Sequence, residues 1–400
     1  MGQSLVSLGL PNAQLHPRQL PRAVIPGLYV HIPFCFHKCH YCDFYSITRQ
    51  TPERITRFVN LLLAEADMWA EMTVRPKTVF FGGGTPSLLP IDQMHRLIQG
   101  LRERFDFSEL NEWTVEVNPA TASLEYCQML RETGVDRLSF GAQSFNRDEL
   151  KTLERHHDPD DVPRSIDLAR AAGFSRLNVD LIYAIPNQSI ESWERSLAAA
   201  IDLKIPHISA YNLTYEPNTP IAVKKRLGLL EPTAEPLEID MMKLTRERLL
   251  TSSRPAYEIS NYATPNEECR HNLLYWTGGS YVGLGPSAAS HVEGTRFKNR
   301  PHLGEWEAAI HAGHLPASDV ETLSPDRRRG ELVMLMLRLT RGVSFDEYTD
   351  RMGTNAQTDF ADQLSRLSKI QMIETDESGF RLTDKGLVVA DAIGAEFLVL

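Results

Sequence analysis

The chain has 400 residues, of which 42% are apolar and 24% charged, a composition typical of a globular protein with room for two or three domains. Its 42 basic and 52 acidic residues leave a net charge of −10, which argues against a general affinity for nucleic acid or an anionic membrane surface. Pro11, Pro17 and Pro21 interrupt the start of the chain, so we expect no signal peptide, no membrane-spanning helix and a cytoplasmic location.

In chain order, residues 1–23 predict a flexible tail and residues 24–262 a domain of repeated strand and helix units. Short apolar runs rich in β-branched residues alternate there with amphipathic stretches, which is typical of a parallel sheet covered by helices. Six units are fewer than the eight of a closed barrel, so a partial barrel and a doubly wound sheet both stay open. The six expected strands are Leu28 to Ile32, Thr78 to Phe81, Thr114 to Val117, Arg137 to Phe140, Leu177 to Ile182 and Ile208 to Leu213.

Residues 263–400 predict a second domain, because the rhythm changes there to a glycine-rich patch followed by helices. We expect helices at about Arg327 to Leu339 and Gln357 to Leu367. Two short strands around a turn at Ser378 and Gly379, and a last helix, give the end of the chain the pattern of a winged helix. Acidic residues outnumber basic ones in this end, so we do not expect it to bind DNA.

Chemically active side chains follow the ends of the predicted strands. His31 follows the first strand, a Gly-Gly-Gly-Thr run the second, and Glu116, Gln143 and Asp180 lie at the ends of later ones. The carboxyl ends of parallel strands meet at one edge of a sheet, where such folds bind their ligands. We therefore expect the functional site at this edge.

Three of the five cysteines, Cys35, Cys39 and Cys42, form a CxxxCxxC motif directly after the first strand. In a reducing compartment this clustering indicates a metal site. Three thiolates can bind three irons of a [4Fe-4S] cluster and leave the fourth iron without a protein ligand. One alternative is a zinc site completed by His37 or His40, although zinc sites more often use CxxC pairs. The other is that the three thiols are unrelated residues of a loop.

The motif and five longer strings resemble the radical S-adenosylmethionine superfamily, and within it the family that oxygen-independent coproporphyrinogen III dehydrogenase shares with HemW-like haem chaperones. The strings are YVHIPFC, FFGGGTPSLL, LSFGAQSF, NVDLIYAIP and YEISNYA. The resemblance covers nearly the whole chain. It implies an α/β fold, a partial (βα)6 barrel followed by a smaller helical, winged-helix-like domain, and a [4Fe-4S] cluster whose open iron binds S-adenosylmethionine.

The resemblance also implies contacts to S-adenosylmethionine, although it singles out no catalytic side chain. Glu154 stands where family members usually carry glycine, next to one of the implied contacts. A run of glycines also makes physical sense here, because bare backbone N–H groups can approach a carboxylate closely. The implied contacts are Tyr29 and Tyr41 beside the cofactor, Gly83, Gly84 and Thr85 at its methionyl part, and Glu116, Gln143, Arg155 and Asp180 as polar partners.

Three sequence features favour the chaperone over the dehydrogenase. Phe44 stands where the dehydrogenase has a fourth cysteine, and the stretch before Tyr29 is shorter than the dehydrogenase's N-terminal extension. A third feature is the HNxxYW string that begins at His271, which resembles HemW-like chains and implies that this imidazole contacts haem. Judged as a lone histidine, His271 could instead have a structural role, and His291 is a weaker second candidate.

We therefore expect a haem chaperone that binds haem, the cluster and S-adenosylmethionine and delivers haem to acceptor proteins. An electron donor to the cluster and a homodimer formed on haem binding are further expectations. The alternative is the dehydrogenase, an enzyme that oxidatively decarboxylates two propionates of coproporphyrinogen III through a 5′-deoxyadenosyl radical. A DNA-binding regulator is disfavoured by charge.

Overall fold

The first half of the chain forms six parallel strands in a computed structural model that describes residues 15–398. All six predicted strands are confirmed. The strands are β1 (Val24–Ile32), β2 (Thr73–Gly83), β3 (Glu112–Val117), β4 (Arg137–Gln143), β5 (Arg176–Tyr183) and β6 (His207–Asn212). The helices between them are α1 (Pro52–Met68), α2 (Ile91–Arg102), α3 (Leu124–Glu132), α4 (Arg147–Thr152), α5 (Asp161–Ala171) and α6 (Ile190–Asp202).

The order of the strands decides between the two architectures that the sequence left open. Strands β1 to β6 lie side by side in chain order, each parallel to the next. A doubly wound sheet would reverse this order at a switch point, whereas successive units that never reverse wind into a barrel. The chain therefore has the partial (βα)6 barrel.

Side chains alternate between the two faces of the barrel wall. Val79 and Phe81 of β2 belong to the buried apolar core under the helices, where Phe58 and Leu62 of α1 join them. The inward-facing positions are more polar, and Thr114, Ser139, Asn178 and Ser209 are buried there. The helices thus take the apolar face, and the interior keeps the groups that can bind a ligand.

The sheet continues past residue 262, where the sequence placed the end of the barrel domain. β8 pairs in parallel with β1, and the strands after β8 extend the sheet at that edge. Their apolar side chains belong to the same buried core as the side chains of the barrel. The added strands are β7 (Asn261–Ala263), β8 (Tyr281–Leu284), β9 (Ala289–Val292), β10 (Thr295–Asn299) and β11 (Ala317–Thr322), with helices α7 (Pro220–Arg226), α8 (Glu235–Thr251), α9 (Arg270–Trp276) and α10 (Leu303–His311).

A second apolar core begins only at Leu332 and includes Tyr348, Phe360 and Phe380. Its three-stranded sheet has the order β12, β14, β13, which fits the winged-helix-like end that the sequence predicts. The elements are α11 (Pro325–Met336), β12 (Val343–Ser344), α12 (Phe345–Met352), α13 (Ala356–Asp359), α14 (Ala361–Lys369), β13 (Ile373–Thr375), β14 (Gly379–Leu382), α15 (Asp384–Leu387) and α16 (Ala390–Ala395).

Most of the predicted tail, residues 1–14, lies outside the described residues. The rest differs from the expected flexible segment. Leu20 is buried in the barrel core, and the carbonyl of Leu15 accepts a hydrogen bond from the N–H of Leu315 at 2.9 Å. Burial of the Leu20 side chain in the barrel core stabilises this position of the segment. Within residues 15–398, no helix is both long and apolar enough to cross a membrane.

Candidate functional site

The loop between β1 and α1 carries Cys35, Cys39 and Cys42, and all three thiols are free and partly exposed. Backbone hydrogen bonds fix this loop over the ends of the strands. The N–H of Cys35 donates to the carbonyl of Ile47 at 3.0 Å, and the N–H of Thr85 donates to the carbonyl of Phe34 at 2.7 Å. The thiols therefore lie at the carboxyl edge of the barrel, as the sequence predicts.

The spacing of the thiols distinguishes a cluster from a zinc ion. Within the described residues, the three Sγ atoms do not all lie within 4.8 Å of one another. Ligands of one tetrahedral zinc, with Zn–S near 2.3 Å, stand only about 3.8 Å apart. Thiolates of an iron–sulfur cube bind different irons and are further apart. The loop therefore does not hold the three thiols at the spacing of a preformed zinc site.

The surroundings of the thiols favour metal-bound thiolates. Burial raises the pKa of Cys35, and it raises the pKa of Cys42 to about 11. The Thr85 hydroxyl lies 3.7 Å from the Sγ of Cys35, and Nη1 of Arg155 lies 3.7 Å from the Sγ of Cys39. A free thiolate is thus disfavoured, and iron binding would release protons while these two donors stabilise the sulfur charge.

The glycine run at the end of β2 lets this strand approach the cysteine loop. Gly83 has a φ of +106°, and a Cβ on it would lie 2.4 Å from the His31 ring. A Cβ on Gly84 would lie 2.7 Å from the carbonyl oxygen of Phe34. These contacts require glycine for packing alone, so the predicted role of both residues beside the methionyl group stays a prediction.

Two carboxylates face the interior below the loop. Asp180 accepts hydrogen bonds from the Ser139 hydroxyl and the Asn178 amide, each at 2.9 Å. Glu116 accepts only a longer bond, 3.3 Å, from the N–H of Gly83. Burial and then the charge of Asp180 raise the pKa of Glu116 to about 8. Glu116 is therefore protonated at neutral pH and would gain from a cationic or hydrogen-bonding ligand.

Arg155 and Gln143 meet over Gly141 at the end of β4. Nη2 of Arg155 donates to the Gly141 carbonyl at 2.5 Å, and a Cβ on that glycine would lie 2.8 Å from both Nη2 and the Gln143 amide nitrogen. Nε of Arg155 is buried and has no hydrogen-bond partner among residues 15–398. A buried donor without a partner is unfavourable unless a ligand completes it. This orphaned donor fits a carboxylate or hydroxyl of S-adenosylmethionine.

Tyr29 lies on β1, whereas Tyr41 lies in the cysteine loop. The Tyr29 hydroxyl lies 3.1 Å from Nδ1 of His31, and its ring stacks on Phe80 with centroids 6.3 Å apart. Tyr41 packs against a small apolar cluster that contains Leu153 and Ile182. Burial raises the pKa of both phenols, so each stays neutral and can act only through its ring or its hydroxyl group.

His271 lies away from this edge. It is buried on α9, its Nδ1 lies 2.9 Å from the Thr78 hydroxyl, and its Nε2 lies 2.8 Å from the Tyr275 hydroxyl. Thr78 is roughly 16 Å below the end of β2, at about 3.3 Å per residue. Burial lowers the pKa of His271 to about 4, so the ring is neutral. Both ring nitrogens are already occupied, an arrangement that the sequence did not indicate.

A buried carboxylate that sequence reasoning missed holds α9 in place. Glu112 of β3 accepts hydrogen bonds from the N–H groups of Arg270 and His271, at 2.9 and 3.0 Å. It also pairs with Arg176 at 2.8 Å. A single acidic residue at the start of a strand gives no sequence signal for these partners. His291 is likewise engaged, since its Nδ1 lies 3.1 Å from the Gly279 carbonyl oxygen.

Comparison with known proteins identifies two segments of the chain. Residues 29–200 match the radical SAM superfamily, and residues 323–389 match the HemN C-terminal domain. The heme chaperone HemW of Lactococcus lactis subsp. lactis is 32% identical over 93% of this chain and 97% of its own length. The heme chaperone HemW of Bacillus subtilis is 33% identical over 92% and 98%.

Among solved structures, the coproporphyrinogen III oxidase HemN of Escherichia coli, described as a radical SAM enzyme, superposes with a TM-score of 0.83. The match covers 96% of this chain and 92% of HemN, at 24% sequence identity. At this identity the likeness concerns the fold alone. It shows the same barrel and the same C-terminal addition.

Proposed function

This chain belongs to the HemW family of the radical SAM superfamily, and on that premise we propose that it is a haem chaperone with a [4Fe-4S] cluster, which delivers haem to acceptor proteins. The proposal depends most on the three-cysteine loop at the mouth of the barrel, which has no fourth cysteine. The two HemW relatives match this chain over 93% and 92% of its length. The side chain at the fourth position, Phe44, is 63% exposed.

We propose that Cys35, Cys39 and Cys42 hold the cluster and that the polar groups below the loop hold S-adenosylmethionine. When bound, the cluster supplies one electron to the cofactor's sulfonium centre. Arg155 would offer its unpaired Nε, and Glu116 its carboxylate. Thr85 and Arg155 stabilise the sulfur ligands. The remaining proposed contacts are Tyr29, Tyr41, Gly83, Gly84, Gln143 and Asp180.

We propose His271 as the haem contact, on the condition that one of its ring nitrogens is released from its present hydrogen bond. An axial ligand needs a free lone pair on a ring nitrogen, and both nitrogens of His271 are engaged by Thr78 and Tyr275. Haem iron could bind this imidazole only after one of these two hydrogen bonds breaks. Three further elements of the proposal are an electron donor to the cluster, a homodimer formed on haem binding and a cytoplasmic location.

The chaperone and the dehydrogenase predict opposite results in one anaerobic experiment. Cluster-loaded protein receives S-adenosylmethionine, a reductant and coproporphyrinogen III, and a parallel sample receives haem followed by apomyoglobin as acceptor. We expect haem to bind and to pass to the acceptor, with no protoporphyrinogen IX formed. Multiple turnovers to protoporphyrinogen IX would overturn the chaperone proposal. Cluster-free Cys39→Ala protein controls for chemistry that needs no cluster.

A further inference from the structure

Three potential metal ligands outside the proposed cluster site converge at the rim of the cysteine loop. One ligand atom each from His37, Glu154 and His156 lies within 4.8 Å of the other two. Nε2 of His37 is 3.2 Å from Oε2 of Glu154, and the two imidazole rings have centroids 4.7 Å apart. Both histidines are exposed and Glu154 is partly so, which leaves the group open to an ion from solvent.

We propose that these three residues form a second metal site, for a divalent transition-metal ion such as zinc. Two imidazoles and one carboxylate are a common set of protein ligands for zinc, with an open position for water. Tetrahedral ligands about 2.1 Å from the ion stand about 3.4 Å apart, which matches the spacing of His37 and Glu154. Small side-chain rotations would bring His156 to the same distance.

His40 contacts the Glu154 carboxylate but does not occupy the position proposed for the ion. Nε2 of His40 lies 3.6 Å from the other carboxylate oxygen, Oε1, and Nδ1 of His40 lies 3.1 Å from the Lys224 ammonium group. His40 is therefore occupied on both sides and is not counted as a ligand. Its contact leaves Oε2 of Glu154 directed at His37.

The backbone at Glu154 ends helix α4 and does not itself require an ion. Its φ is +56°, the left-handed conformation that commonly follows the last turn of a helix. The N–H groups of Glu154 and Arg155 donate to the carbonyls of Lys151 and Leu150, at 3.1 and 2.9 Å. Glycine adopts this conformation most easily, so residue 154 can be changed to glycine without disturbing the backbone.

The site would connect two segments that are distant in sequence. His37 lies inside the cysteine loop, and Glu154 and His156 follow α4. A bound ion would fix the loop against the barrel wall, close to the Arg155 contact with Cys39. The inference does not depend on the haem function, since it concerns the stability and position of the loop.

Zinc binding to the cluster-loaded protein tests the proposal. The protein is freed of loosely bound metals, titrated anaerobically with zinc, and analysed for iron, zinc and the zinc K-edge spectrum. We expect one zinc per chain beyond the iron, with N/O ligands near 2.0–2.2 Å and no sulfur at 2.3 Å. His156→Ala and Glu154→Gly should each weaken zinc binding by more than about 10-fold while iron content stays unchanged. Glycine suits the backbone at residue 154, so loss of folding cannot explain that result.

The matched control is Glu307→Gln, because His311 and Glu307 form a similar pair at 3.3 Å without a third ligand in the described part of the chain. Zinc affinity should be unchanged there. Equal affinity in wild type, His156→Ala and Glu154→Gly would overturn the proposal. So would a zinc–sulfur shell, or no stoichiometric zinc in the cluster-loaded wild type. Loss of iron in the wild type would instead argue against the cluster, so the two failures are distinguishable.

Discussion

Similar residues have different partners at the two ends of the barrel, and two glutamates of β3 show this difference most clearly. Burial alone would raise the pKa of Glu112 at the lower end, but Arg137, Arg176 and two backbone N–H groups lower it overall. Glu116 at the cluster end has one long hydrogen bond and a pKa raised to about 8. Both carboxylates lie on one strand and desolvation acts against the charge of each, so their partners make the difference.

This contrast separates residues whose polar groups are paired within the protein, and so stabilise the fold, from residues whose polar groups can still bind a ligand. At the lower end, Glu112, Arg176 and His271 satisfy one another. At the cluster end, Arg155 has a buried Nε without a partner in the described part of the chain, and the thiols are only partly covered. Unmet hydrogen-bonding groups in a concave site are the physical sign of binding. By that measure, His271 is packed like a structural residue, whereas Trp276 of the same segment has a buried indole N–H without a partner among residues 15–398.

The largest expected effect is the loss of the cluster from Cys39→Ala. Two remaining thiolates cannot hold a cube firmly, so iron and the brown absorbance should disappear almost completely. Iron and sulfide analysis after anaerobic reconstitution measures this. Cys127→Ala is the control, because that thiol is buried on α3 away from the loop, and its iron content should match wild type. Retention of four irons in Cys39→Ala would contradict the ligand assignment.

The next largest effect concerns stability at the lower end. Glu112→Gln removes the buried charge next to Arg137 and one of three carboxylates that pair with Arg176, and it weakens the cap of α9. Asp136 and Glu267 still pair with Arg176, so we expect the free energy of unfolding to fall by about 3 kcal/mol. Denaturant titration measures this loss. Glu109→Gln is the matched control, since it removes an exposed ion pair with Arg75 and should change stability by less than about 1 kcal/mol. Equal losses of unfolding free energy in the two variants would show that the Glu112 contacts stabilise the barrel no more than an exposed ion pair does.

His271→Ala tests the same end against the haem proposal. The variant loses the stacking on Phe80 and the contacts to Thr78 and Tyr275, so we expect about 2–3 kcal/mol of destabilisation. If His271 contacts haem, the variant also changes the haem absorption spectrum and affinity. His311→Ala, at an exposed position, controls for the loss of an imidazole. A spectrum and an affinity equal to wild type would remove His271 from the haem site.

The sequence predicted the features that depend on local pattern. The six strands appear as short apolar runs, and CxxxCxxC is readable because its ligands are eight residues from first to last. The missed features depend on contacts between distant residues. His271 pairs with Thr78 across 193 residues, and β8 joins β1 across most of the chain. No local periodicity reports such pairs, so the extended sheet and the occupied His271 could only be found in the structure.

The smallest effect is a pH dependence at the cluster end. With a pKa near 8, Glu116 must lose a proton before its carboxylate can accept hydrogen bonds or meet a cation of S-adenosylmethionine. Affinity for the cofactor should therefore rise about tenfold per pH unit, or about 1.4 kcal/mol, and level off above pH 8. Glu116→Gln should remove this component. The measurement is the difference between wild type and variant in cofactor affinity from pH 6 to 9.

The same shift predicts a stability effect of known sign in the absence of cofactor. The folded pKa lies above the ordinary value of 4.5, so the folded state binds the extra proton and loses stability as pH rises from about 4.5 to 8. Glu116→Gln should therefore raise the Tm at pH 8 and change it little at pH 4. Glu109→Gln should do neither, because its carboxylate is exposed. If wild type and Glu116→Gln respond to pH alike in both measurements, Glu116 resembles Glu112 in having its partners within the protein, and the distinction between the two ends fails.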